Sequence, residues 1–170
     1  MPTTLRAKIA ATIEATYKNI LDLSTIEDRH SRNVPIELGN GTGANLADLL
    51  FHDTRTIAAS GSEDLDLAGG LTNPLTGAAM TFVELRAVII RAAPGNTNNV
   101  RFSRPASNGV PLFLAAGDGI DIPPGGQFMW ACGADGKVTV TAGTGDLLTV
   151  ANSSSGTTVT YDITIVGTSA

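Results

Sequence analysis

The stretch that most constrains this chain lies near its C-terminus. Val159, Tyr161, Ile163 and Ile165 alternate there with Thr158, Thr160, Asp162 and Thr164. A period of two over eight residues, rich in β-branched and aromatic types, predicts a strand with one apolar face and one wet threonine face. Leu147-Leu148-Thr149-Val150 lies just upstream, separated by Asn152, three serines and Gly156. We read residues 141–167 as a hairpin that closes the fold, with Tyr161, Ile163 and Ile165 in the core. If Tyr161 were exposed, the register of this strand would be wrong by one residue.

From residue 53 onward the same grammar repeats. Short apolar runs are separated by turn residues such as Ser60-Gly61-Ser62, Pro94-Gly95-Asn96, Pro123-Pro124-Gly125-Gly126 and Asp135-Gly136. The runs predict strands near 55–59, 63–67, 80–92, 98–102, 111–115, 119–122, 127–132, 137–141, 146–151 and 157–166. Asp135-Gly136 between Ala131 and Val138 is a two-residue hairpin signal. The run from Met80 to Ala92 is the longest and most apolar. Val83, Leu85, Ala87 and Ile89 alternate there with Glu84, Arg86, Val88 and Ile90, which places it at the centre of a sheet. Eight to ten strands without helical periodicity predict a mostly β protein, an antiparallel β-sandwich of jelly-roll-like size.

The N-terminal part reads differently. Leu5, Ile9, Ile13, Tyr17, Ile20 and Leu21 form a stripe at spacings of four, four, four, three and one, and alanines at 7, 10, 11 and 15 favour helix. Residues 3–22 are therefore a helical arm, capped by Thr3 or Thr4, or an extended arm that pairs with a neighbouring subunit. In both readings its apolar edge needs a partner. Residues 24–45 are polar and irregular and read as a linker, with Val34-Pro35-Ile36-Glu37-Leu38 as a short extended piece. Ala44 to Phe51 fits a short helix or the start of a strand. The boundaries follow: residues 1–46 as arm and linker, 47–170 as the β-domain.

Bulk properties narrow the function classes. Net charge is −5 with 11 basic residues, the opposite of a nucleic-acid-binding footprint. Charged residues are 16% of the chain against about 25% in typical domains, which suits a surface covered by neighbours. One cysteine, Cys132, excludes an internal disulfide, and its setting after Phe128, Met129 and Trp130 reads as a small buried hydrophobe. Lys8, Glu14 and Lys18 interrupt any leader-like apolar run, and no run approaches the roughly 20 residues of a membrane helix. We expect no membrane partner.

Candidate sites are few. Gly39-Asn40-Gly41-Thr42-Gly43 looks like a phosphate-cradling loop but lacks its Lys-Ser/Thr ending, and reads as a flexible turn. His30 and His52 stand 22 residues apart without metal-site company; His52 reads as a maker of one structural hydrogen bond. Asp64 and Asp66 share one side of a strand, and Asp118 and Asp121 flank Gly119-Ile120. Such pairs can hold calcium or do acid–base work, but neither has the required spacing or partner, and both read as solvated faces or turns. Arg86, Arg91, Arg101 and Arg104 fall close together in sequence and read as exposed strand faces and ends rather than a basic patch. Ser, His and Asp occur without a nucleophile elbow. We expect no catalytic residue, no metal site and no cofactor.

Four stretches resemble a family of small virion proteins of tailed bacteriophages: ADLLFHDTRTIAASGSEDLDLAGGL (47–71), APGNTNNV (93–100), IPPGGQF (122–128) and TAGTGDLLTVANSSSGTTVTYDITIVG (141–167). The resemblance implies a non-enzymatic capsid cement or decoration protein, jelly-roll-like in fold, that clamps neighbouring major capsid proteins on the outside of the head. It implies a homo-oligomer, a trimer rather than a dimer, found on the virion and in the host cytoplasm during assembly. The alternative is a tail-associated receptor-binding or fibre-base module whose loops near 94–99 and 104–110 bind host glycan.

Overall fold

The alternating runs of the last 120 residues are expressed as strands in a computed structural model that describes residues 4–170. Among these residues there are thirteen β-strands and no α-helix. The strands are β1 (Ala7–Ile20), β2 (Thr25–Asn40), β3 (Leu46–Ala47), β4 (Leu49–Ile57), β5 (Ser62–Asp66), β6 (Ala68–Thr72), β7 (Ala79–Thr81), β8 (Glu84–Ala92), β9 (Val100–Ser103), β10 (Gly119–Ile122), β11 (Gln127–Ala131), β12 (Leu147–Asn152) and β13 (Val159–Thr168). Eight of them form two four-stranded antiparallel sheets, ordered β10-β9-β12-β5 and β11-β8-β13-β4. β6 and β7 make a separate two-stranded sheet.

Both four-stranded sheets feed one apolar core. Phe51, Val88, Ile90, Ile163 and Ile165 enter it from one sheet, and Leu65, Phe102, Ile122, Leu148 and Val150 from the other. Phe102, Phe113 and Phe128 cluster at one side, with ring centroids 5.6–5.9 Å apart. Tyr161 is also fully buried, in register with Ile163 and Ile165 as expected. Its hydroxyl donates to Glu63 Oε1 at 2.9 Å, and Glu63 Oε2 accepts from Arg55 Nη1 at 2.6 Å. A phenol tip in an apolar core needs such an acceptor, and here the acceptor sits on β5, so the bond links the two sheets.

Three expectations are corrected. The stretch 141–167 is not a hairpin: β12 and β13 lie in different sheets, so residues 153–158 arch from one sheet to the other. Alternation looks the same whether the next strand is a hydrogen-bonded neighbour or a facing one. The Asp135-Gly136 turn is likewise not a hairpin. β11 pairs with β8 up to Ala131↔Ala87, and the chain returns to the same edge at Thr139↔Glu84, so 132–137 is a loop bulging from one edge. Residues 111–115 form turns, and 137–141 makes only isolated bridges.

The N-terminal arm is extended, not helical. β1 pairs antiparallel with β2 along its whole length, from Ala7↔Leu38 to Ile20↔Thr25. The polar segment read as a linker is thus largely the partner strand. Pro35 is accommodated because this part of β2 has β1 on one side only. The proposed cap at Thr3 lies outside the described residues.

The long run ending at Ala92 is also not one regular strand. It breaks at Phe82-Val83, and β8 carries a bulge. Ala87 faces Val166 and Leu85 faces Gly167, so Arg86 is the extra residue. A Cβ on Gly167 would lie 2.3 Å from the Glu84 carbonyl oxygen and 2.7 Å from the Phe82 ring. Gly167→Ala is therefore expected to cost about 1–3 kcal/mol, on the order of 5 °C in Tm. Gly95→Ala, where a Cβ meets nothing within 4 Å, should leave Tm unchanged. Thermal unfolding of both variants checks this.

Burial, and secondarily the bond to Glu63, raises the Tyr161 phenol above its ordinary value of 10.0. A raised folded value means that the contribution is fully present below pH about 10 and is lost as the pH rises beyond it. Alkaline unfolding of Tyr161→Phe should begin at higher pH than that of the parent chain, as followed by circular dichroism.

Candidate interaction surface

The β1–β2 register sorts the ribbon's side chains onto two faces, because residues directly opposite share a face. One face carries Ala7/Leu38, Ile9/Ile36, Ala11/Val34, Ile13/Arg32, Ala15/His30, Tyr17/Asp28 and Asn19/Ile26. The other carries Lys8/Glu37, Ala10/Pro35, Thr12/Asn33, Glu14/Ser31, Thr16/Arg29, Lys18/Glu27 and Ile20/Thr25. The first is predominantly apolar. The second is polar, with ion pairs Lys8–Glu37 at 3.2 Å and Lys18–Glu27 at 3.5 Å, and Arg29 also on Glu27.

The apolar face starts inside the molecule. Ile9 and Leu38 are buried with Ala47, Ala87 and Val166, and Leu5, Ala7, Ile36, Leu50, Ile89 and Met129 pack around them. Ala87, Ile89, Leu50, Met129 and Val166 are the outward residues of the β11-β8-β13-β4 sheet, so the base of the ribbon seats on that sheet's outer face. Beyond Ile9 the cover ends. From Ala10 to Pro35 every residue except Glu27 is exposed, a reach of roughly 35 Å along β1. Tyr17 is 79% exposed, and Ile13, Ile26 and Val34 at least half. The tip adds Ile20, Leu21 and Leu23, the last wholly exposed.

A fixed base aims this arm. β2 pairs parallel with β3 through Gly39↔Leu46 and Asn40↔Ala47. Of the Gly39–Gly43 tract read above as a flexible turn, Gly39 and Asn40 end β2, and residues 41–45 make the loop to β3. It is fastened from beneath by Arg86. Arg86 Nε donates to the Leu46 carbonyl at 3.1 Å. Nη1 donates to Glu84 at 2.6 Å and the Ala134 carbonyl at 3.0 Å. Nη2 donates to Asp135 at 2.6 Å and the Gly43 carbonyl at 3.2 Å. All five guanidinium donors are thereby used. Asn45, at φ 57°, donates its backbone N–H to the Gly133 carbonyl at 2.7 Å. A Cβ at Gly133 would fall 2.3 Å from Asn45 Oδ1, so the two loops interlock.

The other sequence candidates are spread apart, and most are spoken for. Arg86 is fully buried, which corrects its assignment to an exposed strand. Arg101 pairs with Asp121 at 2.7 Å on the surface, which holds the Asp121 carboxyl below its usual range. Arg104 braces its own loop by donating to the carbonyls of Phe113 and Leu114. Asp64 accepts from Thr149 Oγ1 at 2.6 Å, Asp66 from the Ala68 N–H, and Asp118 from the Ala115 N–H. His30 lies on the ribbon and His52 on β4; Cys132 is half-buried. Among the described residues no three His, Cys, Asp or Glu side chains come close enough to share a metal ion.

The loops near 94–99 and 104–110 flank opposite ends of β9, about 13 Å of strand apart. Two asparagines of the first, Asn96 and Asn98, are used internally. Asn96 exchanges two hydrogen bonds with the Thr160 backbone, and the Asn98 amide donates to Asn152 and to carbonyls of the 153–158 arch. Sequence reasoning missed both this clamp and the role of Arg86. The second had a signal: a charged residue inside the most apolar run of the chain is buried only with partners.

Arg86→Met is expected to cost about 3–5 kcal/mol, because it strands three carbonyls and two carboxylates. Amide exchange should accelerate first in residues 39–47 and 132–137; exchange mass spectrometry checks both the size and the place. Comparison with known protein families, with characterised proteins and with solved structures finds no match for this chain.

Proposed function

We propose that the chain is a non-enzymatic virion structural protein, a cement or decoration protein on the outside of a bacteriophage head. The observation that carries the reading is the ribbon: an arm with an uncovered apolar face, held on a rigid body. Exposed apolar area of this extent marks an interaction surface. Many copies on a shell turn weak single contacts into firm attachment, and an acidic chain avoids the packaged genome.

The body is, in this reading, a jelly-roll β-sandwich. Strand order supports it. Counting β4, β5, β8, β9, β10, β11, β12 and β13 as one to eight, the sheets run 1-8-3-6 and 2-7-4-5. That is the order of two Greek keys folded over one core.

Purified protein mixed with undecorated heads should bind in hundreds of copies per particle and raise the temperature at which the shell opens. Deleting residues 10–35 should weaken attachment without unfolding the body. A handful of copies per virion would instead place the protein on the tail. No binding and unchanged shell stability would overturn the reading.

A further inference from the structure

The ribbon's apolar face is self-complementary, and we infer that it is covered by the same face of a second copy, packed antiparallel about a two-fold axis at Ala15/His30. This gives the homo-oligomer of the proposed function a defined contact. It rests on the ribbon's register and not on the shell.

Along the exposed face the pairs run Ala11/Val34, Ile13/Arg32, Ala15/His30, Tyr17/Asp28, Asn19/Ile26. Place the two-fold in the interface, across the strands, at the middle pair. Strand direction then reverses while β1 stays over β1 and β2 over β2. Ala15 meets Ala15 of the second copy, where two small side chains allow close approach. Ile13 meets Tyr17. Arg32 meets Asp28, twice by symmetry. Val34 meets Ile26. Between Ala11 and Asn19 both charges on the face are paired, Ala11 meets Asn19, and His30 meets His30 on the axis.

Other arrangements fail this test. Centring the axis one pair to either side puts Arg32 on Arg32 or Asp28 on Asp28. Parallel packing with β1 over β2 sets Ile13 on Arg32 and Tyr17 on Asp28. About a three-fold along the strands the ribbons run parallel and residues at one level meet, so Ile13/Arg32 of one copy faces Ile13/Arg32 of the next and no Arg32–Asp28 pair forms. The ribbon contact therefore follows a two-fold, whereas the family resemblance implied a trimer. Two-stranded ribbons twist strongly, but the Arg32–Asp28 pairs lie only about 7 Å from the axis, where twist separates the faces least.

The same overlay carries each tip, with Leu21 and Leu23, to the edge of the other copy's body, where Ile9 is already covered. The uncovered overlap, from Ala11 to Asn19, measures roughly 27 by 10 Å, about 540 Å² in total, below the usual range for stable pairs. The contact is therefore a reversible one that other contacts reinforce.

Sedimentation velocity on the full chain, across micromolar to millimolar concentrations, tests the inference. The parent chain should form a dimer. Arg32→Asp and Asp28→Arg alone should each weaken it about tenfold or more, since each sets like charges together. The double variant, which swaps the charges, should restore it. Ala15→Cys in a Cys132→Ala background should cross-link to a dimer with a short bis-maleimide that spans about 10 Å. A monomer throughout, a trimer, or a double variant no better than the singles would overturn the inference. Head binding measured in parallel separates the two readings: a dimer that ignores heads leaves the ribbon contact standing and removes the shell role.

Discussion

The guanidinium of Arg86 is the interaction on which the arrangement depends. A buried cation is tolerated only when its charge and all its donors are met. Here the partners come from three separate places: Glu84 beside it, the 42–46 loop, and the 134–135 turn. Apart from Leu46, which begins the short β3, neither of the last two segments is held by sheet pairing. The guanidinium substitutes for that pairing, and its planar fork fixes the direction of each contact. The ribbon is joined to the body through one of these loops.

The bulge at Arg86 decides what the ribbon sits on. Strict alternation from Leu85 would send Ala87 and Ile89 inward, and Val88 and Ile90 outward. The extra residue reverses the phase. Val88 and Ile90 enter the main core, and Ala87 and Ile89 face out. The small Ala87 lies where the ribbon closes in, beside Ile9 and Leu38. Gly167, opposite Leu85, leaves room for the Phe82 ring. One inserted residue therefore places a charged hub, relieves crowding between strands and creates an apolar seat on an outer face.

Much of this was legible in the sequence, for reasons that particular residues make plain. Tyr161, Ile163 and Ile165 announce a strand because alternation is local. Which strand lies beside them is not local, so the arch at 153–158 looked like a hairpin turn. The Asp135-Gly136 pair announces a turn but cannot say whether the flanks pair with each other or share one neighbour. The ribbon was ambiguous for an arithmetic reason. A spacing of four fits a helical turn, but it is also twice two, so Leu5, Ile9, Ile13 and Tyr17 share a strand face too. The alanines at 7, 11 and 15 fall on that face as well. β2 decided the matter, and its polar residues hid it: Asp28, His30 and Arg32 occupy positions that an ordinary strand would fill with apolar side chains.

Those three residues explain how such an arm persists. A two-stranded ribbon with a bare apolar face is marginal in water and prone to pair promiscuously. An acid and a base, each two positions from His30 and on opposite sides of it, blunt the apolar strip against arbitrary partners. They leave it satisfied only by a surface with the opposite order of charge. The ribbon's own face, turned end for end, has that order. Specificity and solubility thus come from the same two side chains, at the cost of interrupting the apolar stripe that would otherwise have identified the strand.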